Sequence, residues 1–349
     1  MAQFEYASPA GRINKTKGEI LGHAQSVEVL GKFGLSKQLP KNAGAQIVWR
    51  SYLPYGAAAT NLNTQNRPAV TASAHVLNEG VTPTADTLIP RDVTGTIAQY
   101  GALYSYTDKT ADLYEDDVPS EMKKQLGERM GLLKEMIVWG ELKSGTNLYY
   151  GGTGTTVATV NGEVSVNMLR KISRNLQANH AKRITSILDA APKFGTAPVE
   201  AGYVVVAHTD LEATFREMPG FKHVAEYGNR KVLSEHELGS VENFRVILSP
   251  ELAADANAAT SVTASTYGLY TTGGTNPDVY TFVVLAEDAF GDLALRGAGS
   301  VDVSIIPCGT KDKSDPLGQR GYIGGKFYAT TVLLNQGWMA VGKVGAKAL

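Results

Sequence analysis

Met122, Leu126, Met130, Leu133 and Ile137 recur at spacings of three and four within DDVPSEMKKQLGERMGLLKEMIVWGELKSG, residues 116–145. That is the period of a helix with one apolar face. Acidic residues and Pro119 precede the pattern, and Lys143, Ser144 and Gly145 close it, the composition expected at the two ends of a helix. At about 1.5 Å per residue the helix would run roughly 35 Å or more. Leu132, Met136 and Trp139 lie beside the main stripe and form a second apolar face that one sheet would not cover.

A second amphipathic helix is predicted in SVNMLRKISRNLQANHAKRI, with Ser165 as its cap and Met168, Ile172 and Leu176 on one side. The run YVVVAH reads as a strand entering a helix through Thr209-Asp210-Leu211-Glu212, the spacing of a capping box. FRVILSPEL (244–252) and VYTFVVLAEDAFGDLAL (279–295) supply further strands, the second passing into a helical pattern from Glu287 to Leu295. SVDVSIIP (300–307) and the residues from 314 onward return to alternation. The glycine-rich stretch 149–162 reads as a linker at a domain boundary, and the Ala/Thr/Gly-rich stretch 253–278 as a surface insertion. The elements together describe an α+β chain.

Two segments lack a core of their own. AQIVWRSYL (45–53) and TLIPRDVTGTIAQY (87–100) are strand-forming, yet the long intervening stretch has few apolar anchors. A structureless insert of that length is unusual inside a compact domain, so the two strands are expected to pair as a long hairpin with a projecting tip. Residues 1–45 show little sustained period and read as an arm. Both features ask for a neighbouring surface.

Composition narrows the chemistry. Hydrophobic residues make up 43% of the 349-residue chain and charged residues only 19%, a low fraction that suits surfaces meeting other protein surfaces. A formal net charge of -1 argues against wrapping nucleic acid through a basic face, and Asn229-Arg230-Lys231 reads as a solvated turn. Cys308 is the single cysteine, which excludes an intramolecular disulfide and a cysteine-rich zinc site and points to a reducing compartment. The first residues lack the basic and apolar regions of a secretory leader, and nowhere do 18 apolar residues run uninterrupted, so no membrane association is expected.

Searches for catalytic sets fail on residue type or spacing. Gly321, Gly324, Gly325 and Lys326 suggest a phosphate loop, but Arg320 stands where its first glycine belongs and Phe327 where its hydroxyl belongs. Val157 occupies the third glycine position of a dinucleotide fingerprint. His23, His75, His180, His208, His223 and His236 are scattered without metal-ligand spacing. His208 ends a strand, where its expected role is to close the turn, and Glu115-Asp116-Asp117 is what a helix dipole attracts to an N-terminus. No catalytic, cofactor-binding or metal residue is assigned, and no cofactor.

TLIPRDVTGTIAQYGALYSYTD (87–108), YVVVAHTDLEATFRE (203–217) and SDPLGQRGYIGGKFYATTVLLNQGWM (314–339) resemble, in order and spacing, the major capsid proteins of tailed bacteriophages, in particular the coliphage N-four-type family. The resemblance runs along most of the chain from about residue 45 to the end, and the arm and the 253–278 insertion have no part in it. It implies the Hong Kong 97 capsid fold: an N-terminal arm (1–45), an extended loop (46–100), a peripheral domain with its spine helix (101–149), an axial domain (150–299) and a return to the peripheral domain (300–349). The implied role is mechanical: copies of the chain form hexamers and pentamers of an icosahedral shell around double-stranded DNA. Portal, scaffold and cement proteins are the further partners, and assembly takes place in the host cytoplasm. The glycines before Lys326 would then let the chain turn tightly or approach another backbone closely. An encapsulin-like compartment is the alternative with the same fold, and a nucleotide-binding hydrolase the alternative from another class. Some shells of this fold are welded by a bond between a loop lysine and an asparagine of a neighbour. Here Lys41 and Lys109 are consecutive lysines, so Asn61, Asn63, Asn66 and Asn78 have no loop amine to meet.

Overall fold

The run Tyr203-Val204-Val205-Val206-Ala207 is apolar at every position because both of its faces are covered. The computed structural model describes residues 28–39, 44–52, 72–83, 85, 88–114, 117–188, 196–228, 232–295, 302–311, 313 and 315–349. In it the strand Thr196–Ala207 lies inside an eight-stranded sheet. The order across that sheet is Leu148–Tyr150, Met339–Val344, Tyr280–Leu285, Thr196–Ala207, Phe244–Leu248, Glu237–Val241 and Phe221–His223, with Ile184–Leu188 also paired to Thr196–Ala207. Tyr203, Val205 and Ala207 enter one core with Phe215, Phe282 and the helix Val166–Ala178, while Val204 and Val206 enter another with Val283, Leu285 and Val341. A strand buried on both faces reads as a continuous apolar run. Ser165 caps the Val166–Ala178 helix as expected, accepting the Met168 N–H at 3.2 Å.

A five-stranded sheet forms around one long strand, Arg320–Leu333. Ala98–Thr107 pairs along one edge from Thr107↔Arg320 to Ala98↔Ala329. Asp302–Ile306 and Phe290–Leu295 follow one another antiparallel to the same long strand, and Leu35–Leu39 runs parallel to Phe290–Leu295. The helix expected at Glu287–Leu295 is therefore corrected to a strand. Ala286, Phe290 and Leu293 fall at a helical spacing of four and three, but the backbone of this segment pairs on both sides and tertiary pairing overrides the local pattern.

The predicted long helix is Val118–Lys143, capped by Asp117, whose carboxylate accepts the Ser120 N–H at 3.2 Å. Its first half buries Met122, Leu126 and Met130 on Tyr106, Ile323 and Phe327 of the five-stranded sheet. Its second half buries Val138, Trp139 and Leu142 against the eight-stranded sheet. Leu133 and Ile137, expected on the main stripe, are only partly buried, because the covered face rotates from one sheet to the other. Glu135 sits at the changeover, 3% exposed, and accepts the N–H groups of Val29 (3.0 Å) and Leu30 (2.9 Å), fastening residues that lead into Leu35–Leu39. Burial pushes its carboxyl up despite those two bonds.

The last strand, Met339–Val344, leaves the five-stranded sheet and joins the eight-stranded one, so the stretch after residue 300 divides between the two. The expected linker at 149–162 is a packed loop. Leu148–Tyr150 is already a strand of the large sheet, Asn161 accepts the Thr153 N–H at 2.9 Å, and the Gly345 N–H donates to the Gly162 carbonyl at 3.0 Å. Its glycines serve close backbone approach, not flexibility. The 253–278 insertion closes on Val160, Ala259, Val262 and Val279, with the buried Asp278 carboxylate accepting the N–H groups of Asn257 and Thr272 at 2.8 Å.

Gly321, Gly324 and Gly325 are not a turn: they lie in the middle of Arg320–Leu333 and carry no positive φ. A Cβ on Gly321 would meet the Tyr106 ring at 2.4 Å, and one on Gly324 would meet Leu103 Cδ1 at 2.9 Å. The glycines make room for large side chains reaching over from Ala98–Thr107.

Two predictions follow from this packing. Gly321→Val should destabilise the folded subunit by about 1–3 kcal/mol through overpacking, whereas Gly127→Ala, on the exposed side of the long helix with nothing within 4 Å of the added carbon, should stabilise it by up to about 1 kcal/mol. Denaturant titration of the soluble subunit checks both signs. For Glu135, removal of the acceptor in Glu135→Ala should cost about 1–3 kcal/mol. Because the folded carboxyl is raised, its contribution is complete below the unfolded pKa and is lost as pH rises through the folded one. Glu135→Gln, which keeps an acceptor without the charge, should therefore gain stability relative to wild type as pH rises from acid to neutral. A melting-temperature difference that is flat with pH would contradict this.

Candidate assembly surfaces

The chemistry-bearing residues singled out in the sequence are dispersed. His208 caps the turn Thr209–Leu211: its Nδ1 accepts the Asp210 N–H at 3.1 Å, so the cap is His208 where the capping-box spacing placed it at Thr209. The Tyr280 hydroxyl donates to Asp210 at 2.5 Å, and burial, then this bond, pushes the phenol up. His223 closes the next turn in the same way, accepting the Ala225 N–H at 3.2 Å. Lys326 stands on the exposed sheet face with its Nζ 3.5 Å from Asp302. Cys308 is half-buried, its thiol raised by burial and by nearby Asp108. Among the described residues no group of three or more His, Cys, Asp or Glu could hold a metal ion, and no helix is long and apolar enough to cross a membrane. His23, Lys41, Asn61, Asn63, Asn66, Glu115, Asp116 and the Asn229-Arg230-Lys231 turn lie outside the described residues, as do residues 1–27 of the arm and 53–71 of the loop tip.

The predicted hairpin is present at its root. Gln46–Tyr52 pairs antiparallel with Pro90–Thr96, from Gln46↔Thr96 to Tyr52↔Pro90. Trp49 is the fastening: it packs with Leu39 and Leu293, and its ring lies where side chains on Gly95 and Gly291 would otherwise stand. On the outer side Arg50 grips Asp92 in a two-pronged pair, both bonds at 2.8 Å, which holds the Asp92 carboxyl below its ordinary range. Among the described residues at the end of the root and beyond it, Tyr52, Val76, Leu77, Val81 and Leu88 are all more than half exposed. A two-stranded ribbon with apolar groups and no second layer is not stable on its own. What supports it inside the subunit is its base, and what can cover it is another surface.

The second uncovered region was not anticipated from sequence. All five residues of Asp302–Ile306 are exposed. Registered on the long strand, Val303 and Ile305 share the face that carries the Val118–Lys143 helix, but they lie beyond the helix's reach. Ile306 faces the other way and is exposed too. Among the described residues this strand pairs only with Arg320–Leu333, leaving its outer edge open. An exposed apolar edge strand is a template for pairing with another chain. The signal available in the sequence was that VDVSII carries apolar groups on both faces without the neighbouring elements to bury them.

Comparison with known proteins gives these surfaces a context. The family described as phage capsid protein matches residues 91–311. The major capsid protein of Pseudomonas phage KPP21 is 21% identical, over 98% of this chain and 97% of that protein. Among solved structures, the capsid of Ralstonia phage GP4 superposes with a TM-score of 0.62 at 11% identity, covering 99% of this chain and 98% of that one. The head structure of Helicobacter pylori bacteriophage KHP40 gives 0.60 at 13% identity, with 99% and 98% covered. With more than half of its length matched by the family and the same mixed α and β architecture shared end to end with phage heads, this chain belongs to the phage capsid protein family, as a structural protein of the virion.

Proposed function

We propose that this chain is the repeating subunit of an icosahedral shell with the Hong Kong 97 fold, assembling as hexamers and pentamers around double-stranded DNA. The observation that carries the proposal is the hairpin paired at its root, on which, among the described residues, Tyr52, Val76, Leu77, Val81 and Leu88 are each more than half exposed. In this reading residues 1–45 are the arm, 46–100 the extended loop, 101–149 the peripheral domain with Val118–Lys143 as its spine, 150–299 the axial domain, and 300–349 the return, with Met339–Val344 completing the axial sheet. The loop lies on one neighbour and the Asp302–Ile306 edge meets another. Each contact is modest, and the closed shell multiplies them. Portal, scaffold and cement proteins complete the particle, which assembles in the host cytoplasm. A net charge of -1 supports a wall that does not hold its DNA tightly. An encapsulin-like compartment would share the fold and differ in contents.

Electron microscopy of the expressed protein, with nucleic-acid content measured, separates these readings. Deleting residues 56–85 should leave a soluble folded subunit or small oligomer that no longer closes into shells; closed particles at normal yield would refute the role given to the loop.

Since no lysine lies between Lys41 and Lys109 and Cys308 is the single thiol, the shell is held by non-covalent contacts. Mature particles boiled in detergent with reductant should run as one band near 37 kDa; a ladder of surviving multimers would show a cross-link.

A further inference from the structure

One concave site plays no part in the surfaces above. A cleft of about 570 Å³ opens where three parts of the chain meet: the stretch after the long helix (Thr146, and Tyr149 on its short strand), the outer side of the Val166–Ala178 helix (Lys171, Arg174) and the turn at Gln336. None of the side chains lining it is acidic. On the same helix Arg170 is neutralised by Glu242 at 2.5 Å, but among the described residues no carboxylate forms an ion pair with Lys171 or Arg174.

Gln336 Oε1 is occupied, accepting from the Thr146 N–H at 3.0 Å and its hydroxyl at 3.4 Å. Asn175 Oδ1 accepts from Asn179 at 2.7 Å, and the Asn179 carbonyl accepts the Trp338 indole N–H at 3.0 Å. The Gln336 and Asn175 acceptors are thus consumed inside the protein, Asn147 gives its amide N–H to the Met339 carbonyl at 2.9 Å and keeps its Oδ1, and the Lys171 ammonium, the Arg174 guanidinium and the Gln336 amide are the donors that remain. Two lone cations on a helix are ordinarily just solvated; here they border an open cleft whose volume is within the range small ligands occupy.

We propose that this cleft binds a phosphoryl group. Donors rooted on the helix and on the Gln336 turn suit a tetrahedral oxyanion with several acceptor oxygens better than a planar carboxylate, which a single arginine fork can satisfy. The source is a free phosphate or a nucleic-acid phosphodiester, and the chemistry of recognition is shared.

The test uses the full-length protein, as subunits and as particles, titrated separately with inorganic phosphate, a short single-stranded oligonucleotide and an acidic peptide at fixed ionic strength. Saturable binding of phosphate or oligonucleotide is expected, weakened roughly tenfold or more in the Lys171→Ala, Arg174→Ala double variant and unchanged in Arg170→Ala. Both substituted positions are exposed on a helix, so circular dichroism should report an intact fold. Tighter binding of the oligonucleotide than of phosphate assigns the site to nucleic acid, and equal or weaker binding assigns it to free phosphate. Absence of saturation, indifference to the double substitution, or tighter capture of the acidic peptide overturns the proposal.

Discussion

One helix must satisfy two sheets. Val118–Lys143 spans both the five-stranded and the eight-stranded sheet, and no single stripe of a straight helix can face two surfaces that are not coplanar. Its buried positions therefore drift from Met122, Leu126 and Met130 to Val138, Trp139 and Leu142, and much else is arranged around that drift. Glu135 occupies the point where neither apolar face is continuous. There its carboxyl binds two main-chain N–H groups and brings residues 29 and 30 onto the helix. An acid in that place costs desolvation and supplies directional bonds that an apolar residue could not.

The long strand Arg320–Leu333 plays the corresponding part in the smaller sheet. It accepts Ala98–Thr107 on one edge and two successive strands on the other, so the hairpin root, the long helix and the exposed edge are all referred to one backbone. Glycines at 321 and 324 lower the profile of that strand so that Tyr106 and Leu103 can lie across it. Tyr106 then faces the helix and joins its core, which couples the root of the projecting hairpin to the spine. A subunit built this way can present apolar groups at a distance from its core without the core itself loosening.

Stability inside the subunit and incompleteness outside it are complementary. Side chains of the central strands of the large sheet, such as Phe244–Leu248 and Tyr280–Leu285, are almost wholly removed from water, the large apolar ones each contributing on the order of 1.5–3 kcal/mol. By contrast the loop and the Asp302–Ile306 edge leave comparable groups in solvent. Exposed apolar surface concentrated on extended elements is the mark of an interaction surface, and a family of shell proteins is where such surfaces have a use.

The sequence by itself determined the features encoded within a few consecutive residues: the two amphipathic helices, the Ser165 cap of the second, the apolar runs of the large sheet, and the pairing of the two strands at the root of the hairpin. Those depend on periodicity and on local hydrogen bonds, both readable in a short window. The tertiary structure alone decided the rest. Phe290–Leu295 carries a helical spacing and becomes a strand because partners some forty residues away in sequence, at Arg320–Leu333, and more than two hundred away, at Leu35–Leu39, take both of its edges. Gly321 looked like part of a turn and is flat because a ring from residue 106 needs its space. Lys171 and Arg174 were an unremarked polar face until the Gln336 turn closed a cleft beside them. In each case the deciding contact joins residues far apart in the chain, and no local pattern carries information about a partner that only folding brings near.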